Sequence, residues 1–163
     1  MEIPTSIRTK IAALVISAAG ITGISQYEGF SEKAYVPTPG DVWTLGYGST
    51  HHPDGSPIKK GEKITRATAE EYLKYDIHRF QSKMQECVKV DLSQNEFDAY
   101  ISLEYNIGPA AFCASSLVKK LNAYDYAGAC KEILKWDKFQ GNPLPGLTKR
   151  RQKEYTLCIG SQK

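Results

Sequence analysis

An uncharged run of 17 residues near the N-terminus, residues 11–27, constrains the fold more than any other feature. Arg8 and Lys10 precede it, and Glu28 closes it. As a helix the run would be about 25 Å long, which is the short limit for crossing a bilayer. Three interpretations stay open: a marginal membrane-spanning helix, a signal peptide with small residues at 17–19, and a buried helix of a soluble domain.

The composition is that of an ordinary globular domain. The chain has 163 residues, a mass of 18.1 kDa and a mean hydropathy of -0.41, which together indicate one domain and exclude a polytopic membrane protein. Its net charge of +3 and pI near 8.6 are too mild for a nucleic-acid-binding protein, which would carry a strong basic stripe. An acidic polymer or surface remains compatible with this charge.

Four cysteines bear on the compartment: Cys87, Cys113, Cys130 and Cys158. An even number in an exported protein predicts two disulfides, with three pairings that the sequence leaves open. The alternative is four buried thiols in a cytosolic protein. No Cys-x-x-Cys motif and no Cys/His ligand spacing occurs, so we expect no zinc site and no other metal.

The order of elements predicts an α+β fold. Proline and glycine punctuate short β-prone runs, which predicts a small antiparallel sheet over about 34–64. Helical periodicity follows from Thr65, with capping-box spacings at Thr68-x-x-Glu71 and Ser93-x-x-Glu96 and a stop at Gly108. Further helices are expected near 115–122, 124–137 and 147–158. With the N-terminal apolar helix, the architecture is a small sheet lobe followed by a predominantly helical C-terminal lobe.

Glu28 is the first candidate for chemistry. If the N-terminal helix ends there, Gly29 is its C′ residue, and the helix dipole and apolar neighbours favour a protonated carboxyl. A general acid working near neutral pH needs that property. The alternative is that Ser25-x-x-Glu28 is itself a capping box that begins a helix. Gly29 argues against helix initiation and favours the acid.

Asp41 and Thr44 are the other candidates, both in the predicted hairpin. A second carboxylate in a different environment from Glu28 would complete a glycosidase arrangement, and a threonine hydroxyl could position water. The alternatives without a catalytic role are that Asp41 only stabilises a turn and that Thr44 is present because threonine favours strands. No motif of a serine hydrolase, a P-loop, a dinucleotide site or a zinc protease occurs.

Three segments resemble the phage-type lysozymes, glycoside hydrolase family 24, and together they extend over about residues 28–158. They are the stretch from Glu28-Gly29 through Ala34-Tyr35 to GDVWTLGYG at 40–48, the stretch DAYISL with YNIG at 98–108, and GLTKRRQ at 146–152. The joint match is far more specific than any single piece. The resemblance implies a lysozyme-like fold and a muramidase that cleaves the β-1,4 bond between N-acetylmuramic acid and N-acetylglucosamine in peptidoglycan.

The resemblance also implies a Glu-Asp-Thr catalytic triad and inversion at the sugar, with no cofactor. Glu28 and Thr44 carry over from the family's triad, but the position nine after Glu28 is Pro37, so Asp41 is the nearest candidate for the aspartate. Arg150 matches the late arginine and is expected near the surroundings of Glu28. Tyr47 and Asn106 are expected to bind substrate or support the site.

The uncharged N-terminus resembles the signal-anchor-release (SAR) segments of some phage endolysins. That resemblance implies two parts, an anchor at 1–27 and a catalytic domain at 28–163, exported to the periplasm and first tethered to the host inner membrane. We expect a monomer whose partner is peptidoglycan. The alternative is a catalytically inactive, membrane-anchored module that binds the cell wall, since the expected aspartate is displaced.

Overall fold

The computed structural model describes residues 7–160, and these form two compact units. Residues 21–79 form the small unit, and the described residues before and after them form the large unit. The helices and strands are α1 Ala18–Glu28, β1 Ser31–Tyr35, β2 Thr44–Gly46, α2 Arg66–Cys87, α3 Gln94–Ile107, α4 Pro109–Cys113, α5 Ser116–Asn122, α6 Tyr126–Glu132, β3 Lys138–Phe139, β4 Asn142–Pro143 and α7 Pro145–Gly160, with 3-10 helices at Ile11–Ala13 and Ile133–Lys135. The α+β class is confirmed.

The uncharged run does not form one helix. It begins with the 3-10 helix, continues without helical structure through residue 17, and becomes α-helical only at Ala18. Ile11 and Leu14 are buried, and the Gln81 side-chain amide donates to both of their carbonyl oxygens, at 2.9 and 2.8 Å. The prediction of a single N-terminal apolar helix is therefore not confirmed. Across residues 7–160, no helix combines the length and apolarity that crossing a membrane requires.

The small unit contains one antiparallel pair of strands and the first part of α2. β1 pairs with β2, and isolated bridges at Lys33↔Lys63 and His51↔Pro57 extend the paired region over residues 31–63, so it begins three residues before the predicted start at 34. Its core is aliphatic and comprises Ile24, Leu45, Ile58, Ile64, Leu73 and Ile77. The cap of α2 was predicted three residues too late, because the Thr65 hydroxyl, rather than that of Thr68, accepts the backbone N–H of the first turn.

The large unit is built around α3, which is buried from Glu96 to Glu104 and packs against α7. The predicted capping box at its start is present, with the Ser93 hydroxyl and the Glu96 carboxylate each accepting the other residue's backbone N–H. Gly108 caps its end, as predicted. One helix was expected over 124–137, but α6 ends at Glu132 and a 3-10 turn leads into the β3–β4 hairpin.

All four cysteines are paired, as Cys87–Cys113 and Cys130–Cys158. The first disulfide joins the end of α2 to the end of α4, and the second joins α6 to α7. The prediction of two disulfides is confirmed, and the alternative of buried thiols is wrong. The structure chooses one of the three pairings that the sequence left open.

Candidate active site

Glu28 is the last residue of α1. Gly29 follows in the left-handed region, with φ of 70°, and its N–H donates to the Ser25 carbonyl at 3.0 Å. This is the ending expected of a helix whose C′ residue is glycine. The Ser25 hydroxyl donates back to the Thr22 carbonyl, so Ser25 does not cap a new helix. The interpretation of Glu28 as the start of a helix is therefore wrong.

The half-buried Glu28 lines an open pocket of about 280 Å³ in the small unit, together with Gly29, Phe30, Ser31 and Tyr35. The Phe30 ring centroid lies 5.5 Å from that of Tyr47, and the Arg66 guanidinium lies 4.4 Å from the Phe30 ring centroid. Aromatic walls with one carboxyl group suit a polar ligand that has apolar faces, such as a sugar ring.

The β1–β2 hairpin places Thr44 on the strand that pairs with β1, which contributes Tyr35 to the pocket. Ser31 is paired with Gly46 and Tyr35 with Thr44, which leaves residues 36–43 as the connection. Thr44 is buried, and its hydroxyl donates to the Val42 carbonyl at 3.2 Å. Because Tyr35 lines the pocket, its pairing with Thr44 positions that threonine on the strand next to the pocket.

Asp41 lies in the exposed turn of that connection. Its N–H donates to the Thr38 carbonyl, and its carboxylate accepts the N–H of Val42 at 2.9 Å and the Thr38 hydroxyl at 3.4 Å. Pro37, which stands where the family spacing expects an aspartate, lies in the same connection. Asp41 thus makes the hydrogen bonds expected of a turn residue, and its catalytic role stays a prediction.

Tyr47 is buried, and the segment that carries it is held by a contact that sequence reasoning missed. The Ser49 hydroxyl donates to the Asp76 carboxylate at 2.6 Å, and the Arg79 guanidinium donates to the same carboxylate at 2.8 Å. Burial raises the pKa of Asp76, while the Ser49 and Arg79 contacts oppose that rise. The signal in the sequence is a lone aspartate between Leu73 and Ile77, on the apolar face of α2.

Arg150 and Asn106 belong to the large unit. Arg150 is buried on α7, where its Nε donates to Glu154 at 3.2 Å and a terminal nitrogen donates to the Ser102 carbonyl at 3.0 Å. Burial raises the pKa of Glu154, and the cations of Arg151 and Arg150 oppose this rise. Asn106 is exposed on the last turn of α3. The expected association of Arg150 with the surroundings of Glu28 stays a prediction.

His51 and His52 are engaged by side chains rather than grouped as ligands. His52 bonds to the Tyr72 hydroxyl at 2.8 Å through Nδ1 and to Glu62 at 3.0 Å through Nε2. The His51 ring bonds to the Thr50 hydroxyl. Over the part of the chain that the structure describes, no three His, Cys, Asp or Glu side chains are grouped so that they could hold a metal ion.

The sequence model of one family, described as phage lysozyme, matches residues 25–154. The chain belongs to the phage lysozyme family. The chain is 46% identical over 146 residues to an endolysin of Acyrthosiphon pisum secondary endosymbiont phage 1, a match that covers 87% of this chain and 96% of that relative. A SAR-endolysin of Enterobacteria phage P21 is 31% identical over 167 residues and covers 98% of this chain and 99% of the relative.

Among solved structures, a crystal structure of a P22 lysozyme mutant superposes with a TM-score of 0.78 at 35% identity, covering 90% of this chain and 99% of that one. This likeness confirms the lysozyme-like fold. The family makes the chain a glycoside hydrolase, a muramidase that acts on peptidoglycan and lyses the host cell. An inactive wall-binding module is not favoured.

Proposed function

We propose that Glu28 is the general acid of this lysozyme and donates its proton to the glycosidic oxygen as the bond to the sugar breaks. The observation that carries the proposal is the position of Glu28 at the end of α1, where its carboxyl group lines a pocket with Phe30 and Tyr35.

Asp41 and Thr44 act on the second reactant, the attacking water. The Asp41 carboxylate takes the proton of that water or stabilises the positive charge on the sugar, and the Thr44 hydroxyl positions the water. Attack from the face opposite the leaving group inverts the configuration at the anomeric carbon. Both residues belong to the hairpin whose first strand contributes Tyr35 to the Glu28 pocket, and this supports the assignment.

Supporting roles fall to Tyr47, Asn106 and Arg150. Tyr47 supports the Phe30 wall of the pocket through the contact between the two rings. Arg150 supports the large unit as a buried cation that Glu154 and the Ser102 carbonyl hold in place. The exposed amide of Asn106 is suited to hydrogen bonds with a sugar or its peptide.

The Glu28→Gln variant tests the central assignment, because an amide keeps the shape of the side chain and cannot donate a proton as an acid. We expect release of reducing sugar from purified peptidoglycan to fall by at least a hundredfold, roughly the contribution of general acid catalysis. Glu32→Gln is the matched control, since Glu32 is exposed on β1 of the same unit and undergoes the same change in charge. Lysis by the Glu28→Gln variant at the parental rate would overturn the mechanism.

Asp41→Asn separates the turn function from the catalytic one. Asparagine still accepts the Val42 N–H, so the turn persists while the carboxylate charge is lost. We expect activity to fall while the circular dichroism spectrum stays that of the parent. Full activity of this variant would remove Asp41 from the site.

We also propose that residues 1–27 first serve as a signal-anchor-release segment and that residues 28–163 carry the catalytic domain. The similarity to the P21 SAR-endolysin supports this, because it extends over 98% of the chain. Two disulfides in a chain of this size also support export, since disulfides persist in oxidising compartments. The enzyme would thus be tethered to the host inner membrane, released to the periplasm and active there as a monomer.

Retention of the segment is the testable part of this proposal. Cleavage after residue 19 would remove Arg8, Ile11 and Leu14, of which the last two are buried in the large unit. It would also leave the buried carboxylate of Glu96 without the guanidinium that bonds to both of its oxygens. We expect mass spectrometry of the active extracytoplasmic enzyme to find residues 1–19 present. Their loss from the active form would contradict the proposal.

A further inference from the structure

The small unit contains another open pocket, of about 310 Å³, which shares no lining residue with the Glu28 pocket. We call it the His52 pocket. Its lining combines polar and apolar side chains and includes Leu45, His52, Glu62, Ile64, Thr68 and Tyr72. Its volume lies at the small end of the range of ligand pockets, about 300 to 1,000 Å³, so it suits a small ligand such as a sugar ring.

A chain of hydrogen bonds orients the polar groups of the His52 pocket. The Lys59 N–H donates to the Glu62 carboxylate at 3.0 Å, and His52 Nε2 bonds to the same carboxylate at 3.0 Å. The Lys59 N–H and the His52 contact lower the pKa of Glu62, which favours the ionised form. Because an ionised carboxylate only accepts, Nε2 carries the proton of this bond. In the neutral ring, Nδ1 then accepts the Tyr72 hydroxyl proton at 2.8 Å.

This chain gives the pocket groups that can accept and donate toward a ligand. Burial raises the pKa of Tyr72, so its hydroxyl keeps the proton that it shares with His52, and its oxygen can accept from a ligand. The Glu62 side chain is 31% exposed, and its carboxylate can accept as well. On α2 the Thr65 hydroxyl donates to the Thr68 oxygen at 3.1 Å, so the proton of the Thr68 hydroxyl is directed away from Thr65 and can donate.

An N-acetylated amino sugar matches this set of groups. Its acetamido group has one N–H donor, one carbonyl acceptor and one methyl group, and its ring adds hydroxyls and an apolar face. The apolar side chains of Leu45 and Ile64 can contact the apolar parts. The formal charges of Glu62 and Lys63, which also lines the pocket, offset each other, and this favours an uncharged ligand over an anion. The polymer on which the enzyme acts is built of such sugars.

We propose that the His52 pocket is a second, non-catalytic binding site for the N-acetylated amino sugars of the glycan strand. A second contact with the same insoluble polymer raises the overall affinity without adding a catalytic group. The site therefore keeps the enzyme on the cell wall between successive cleavages. The proposal concerns the small unit alone and does not depend on the role proposed for Glu28.

The test is a titration of the full-length enzyme with chitobiose and with cellobiose, followed by two-dimensional amide NMR spectra. Chitobiose is two β-1,4-linked N-acetylglucosamine units and lacks the bond to muramic acid that the enzyme cleaves; cellobiose has the same linkage without the acetamido groups. We expect chitobiose to shift the amide signals of residues 62–72 saturably and cellobiose to leave them in place. Shifts confined to residues 28–35, around the Glu28 pocket, would overturn the proposal, and so would equal shifts with cellobiose.

Two variants test the pocket directly, because each removes one hydroxyl and keeps the shape of the side chain. In Tyr72→Phe and in Thr68→Val, we expect the Kd for chitobiose at residues 62–72 to rise about threefold to tenfold, the value of one hydrogen bond. Tyr75→Phe is the matched control, since Tyr75 is 48% exposed on α2 and lies outside the lining of the His52 pocket. If both variants bind chitobiose as tightly as Tyr75→Phe does, the proposed site is wrong.

Two further measurements keep the result unambiguous. Circular dichroism and melting temperature report whether each variant folds, and Thr68→Val decides the question if Tyr72→Phe does not fold. Glu28→Gln should bind chitobiose in the His52 pocket with the parental Kd, whatever its activity on peptidoglycan. Failure of the His52 site and failure of the catalytic role of Glu28 are therefore separate outcomes.

Discussion

Glu104 is a buried acid for which the described part of the chain supplies no hydrogen-bond partner at either carboxyl oxygen. It lies on α3, in the centre of the large unit. Burial raises its pKa from the ordinary 4.5 to about 8, because the ionised form loses its hydration without gaining a partner. The folded protein therefore holds this proton at neutral pH, whereas the unfolded chain releases it.

The sign of the effect on stability follows from proton binding. Between pH 4.5 and 8 the folded state binds more protons than the unfolded state, so the free energy of unfolding falls as the pH rises through this window. At about 1.36 kcal/mol for each pKa unit, Glu104 lowers the free energy of unfolding by about 0.8 kcal/mol at pH 5 and by about 3.3 kcal/mol at pH 7. The difference between these two pH values is about 2.5 kcal/mol, and the loss levels off above pH 8.

Urea unfolding of the parent and of Glu104→Gln at pH 5, 7 and 9 measures this difference. Since glutamine does not ionise, the stability of Glu104→Gln relative to the parent should increase by about 2.5 kcal/mol from pH 5 to pH 7. Glu86→Gln is the control, because the Glu86 side chain is 67% exposed and should show almost no such change. Parallel pH profiles for Glu104→Gln and the parent would show that Glu104 ionises normally, and the reasoning would fail.

The remaining predictions concern the cap, the helix end and the disulfides. Ser93→Ala should lower the free energy of unfolding by about 1 to 2 kcal/mol, because it removes a buried capping box; a urea midpoint equal to that of the parent would contradict this. Gly29→Ala should lower the free energy of unfolding by about 1 kcal/mol because of its φ of 70° alone, since no atom lies within 4 Å of the added Cβ. Gly23→Ala, inside α1, should raise the melting temperature. A higher melting temperature for Gly29→Ala than for Gly23→Ala would contradict this prediction. Reduction of the disulfides, which close loops of 26 and 28 residues, should cost about 3.5 kcal/mol each, and a calorimetric melting temperature unaffected by reductant would refute the estimate.

Features fixed by local chemistry were predictable from the sequence. The ends of α1 and α3 follow from Gly29, Ser93 and Gly108, because a cap or a left-handed glycine acts within one helical turn. The cap of α2 was misplaced because two threonines, Thr65 and Thr68, compete within one turn, and only the geometry of the first turn decides between them. Local signals thus give the existence of a helix more reliably than its first residue.

In the candidate site too, features set by local sequence were predictable, and contacts between distant residues were not. Glu28 and the hairpin are close in sequence, so local signals led to them: Gly29 marks the end of α1 after Glu28, and proline and glycine mark the hairpin. Asp98 and Asp76 were not assigned roles, because their partners Ser17 and Ser49 lie 81 and 27 positions away, and no periodicity encodes such a pairing. The role of Asp41 remained open for a different reason: Asp41 and Pro37 both lie in an exposed connection, whose geometry depends on few buried contacts.

The weak apolarity of residues 11–27, which made the run ambiguous, has a structural explanation in the folded enzyme. Of its apolar side chains only Ile11, Leu14 and Ile24 are buried, and Val15 is 74% exposed. The residues that dilute the run have uses here: Ser17 caps α1, and Gly20 lets the helix approach α3. In the segment before α1, the backbone carbonyls of Ile11 and Val15 accept side-chain amides of Gln81 and Gln94. Large apolar residues in place of Ser17 and Gly20 could make neither the cap nor the close approach, so the weak apolarity of the run follows from its packing in the folded enzyme.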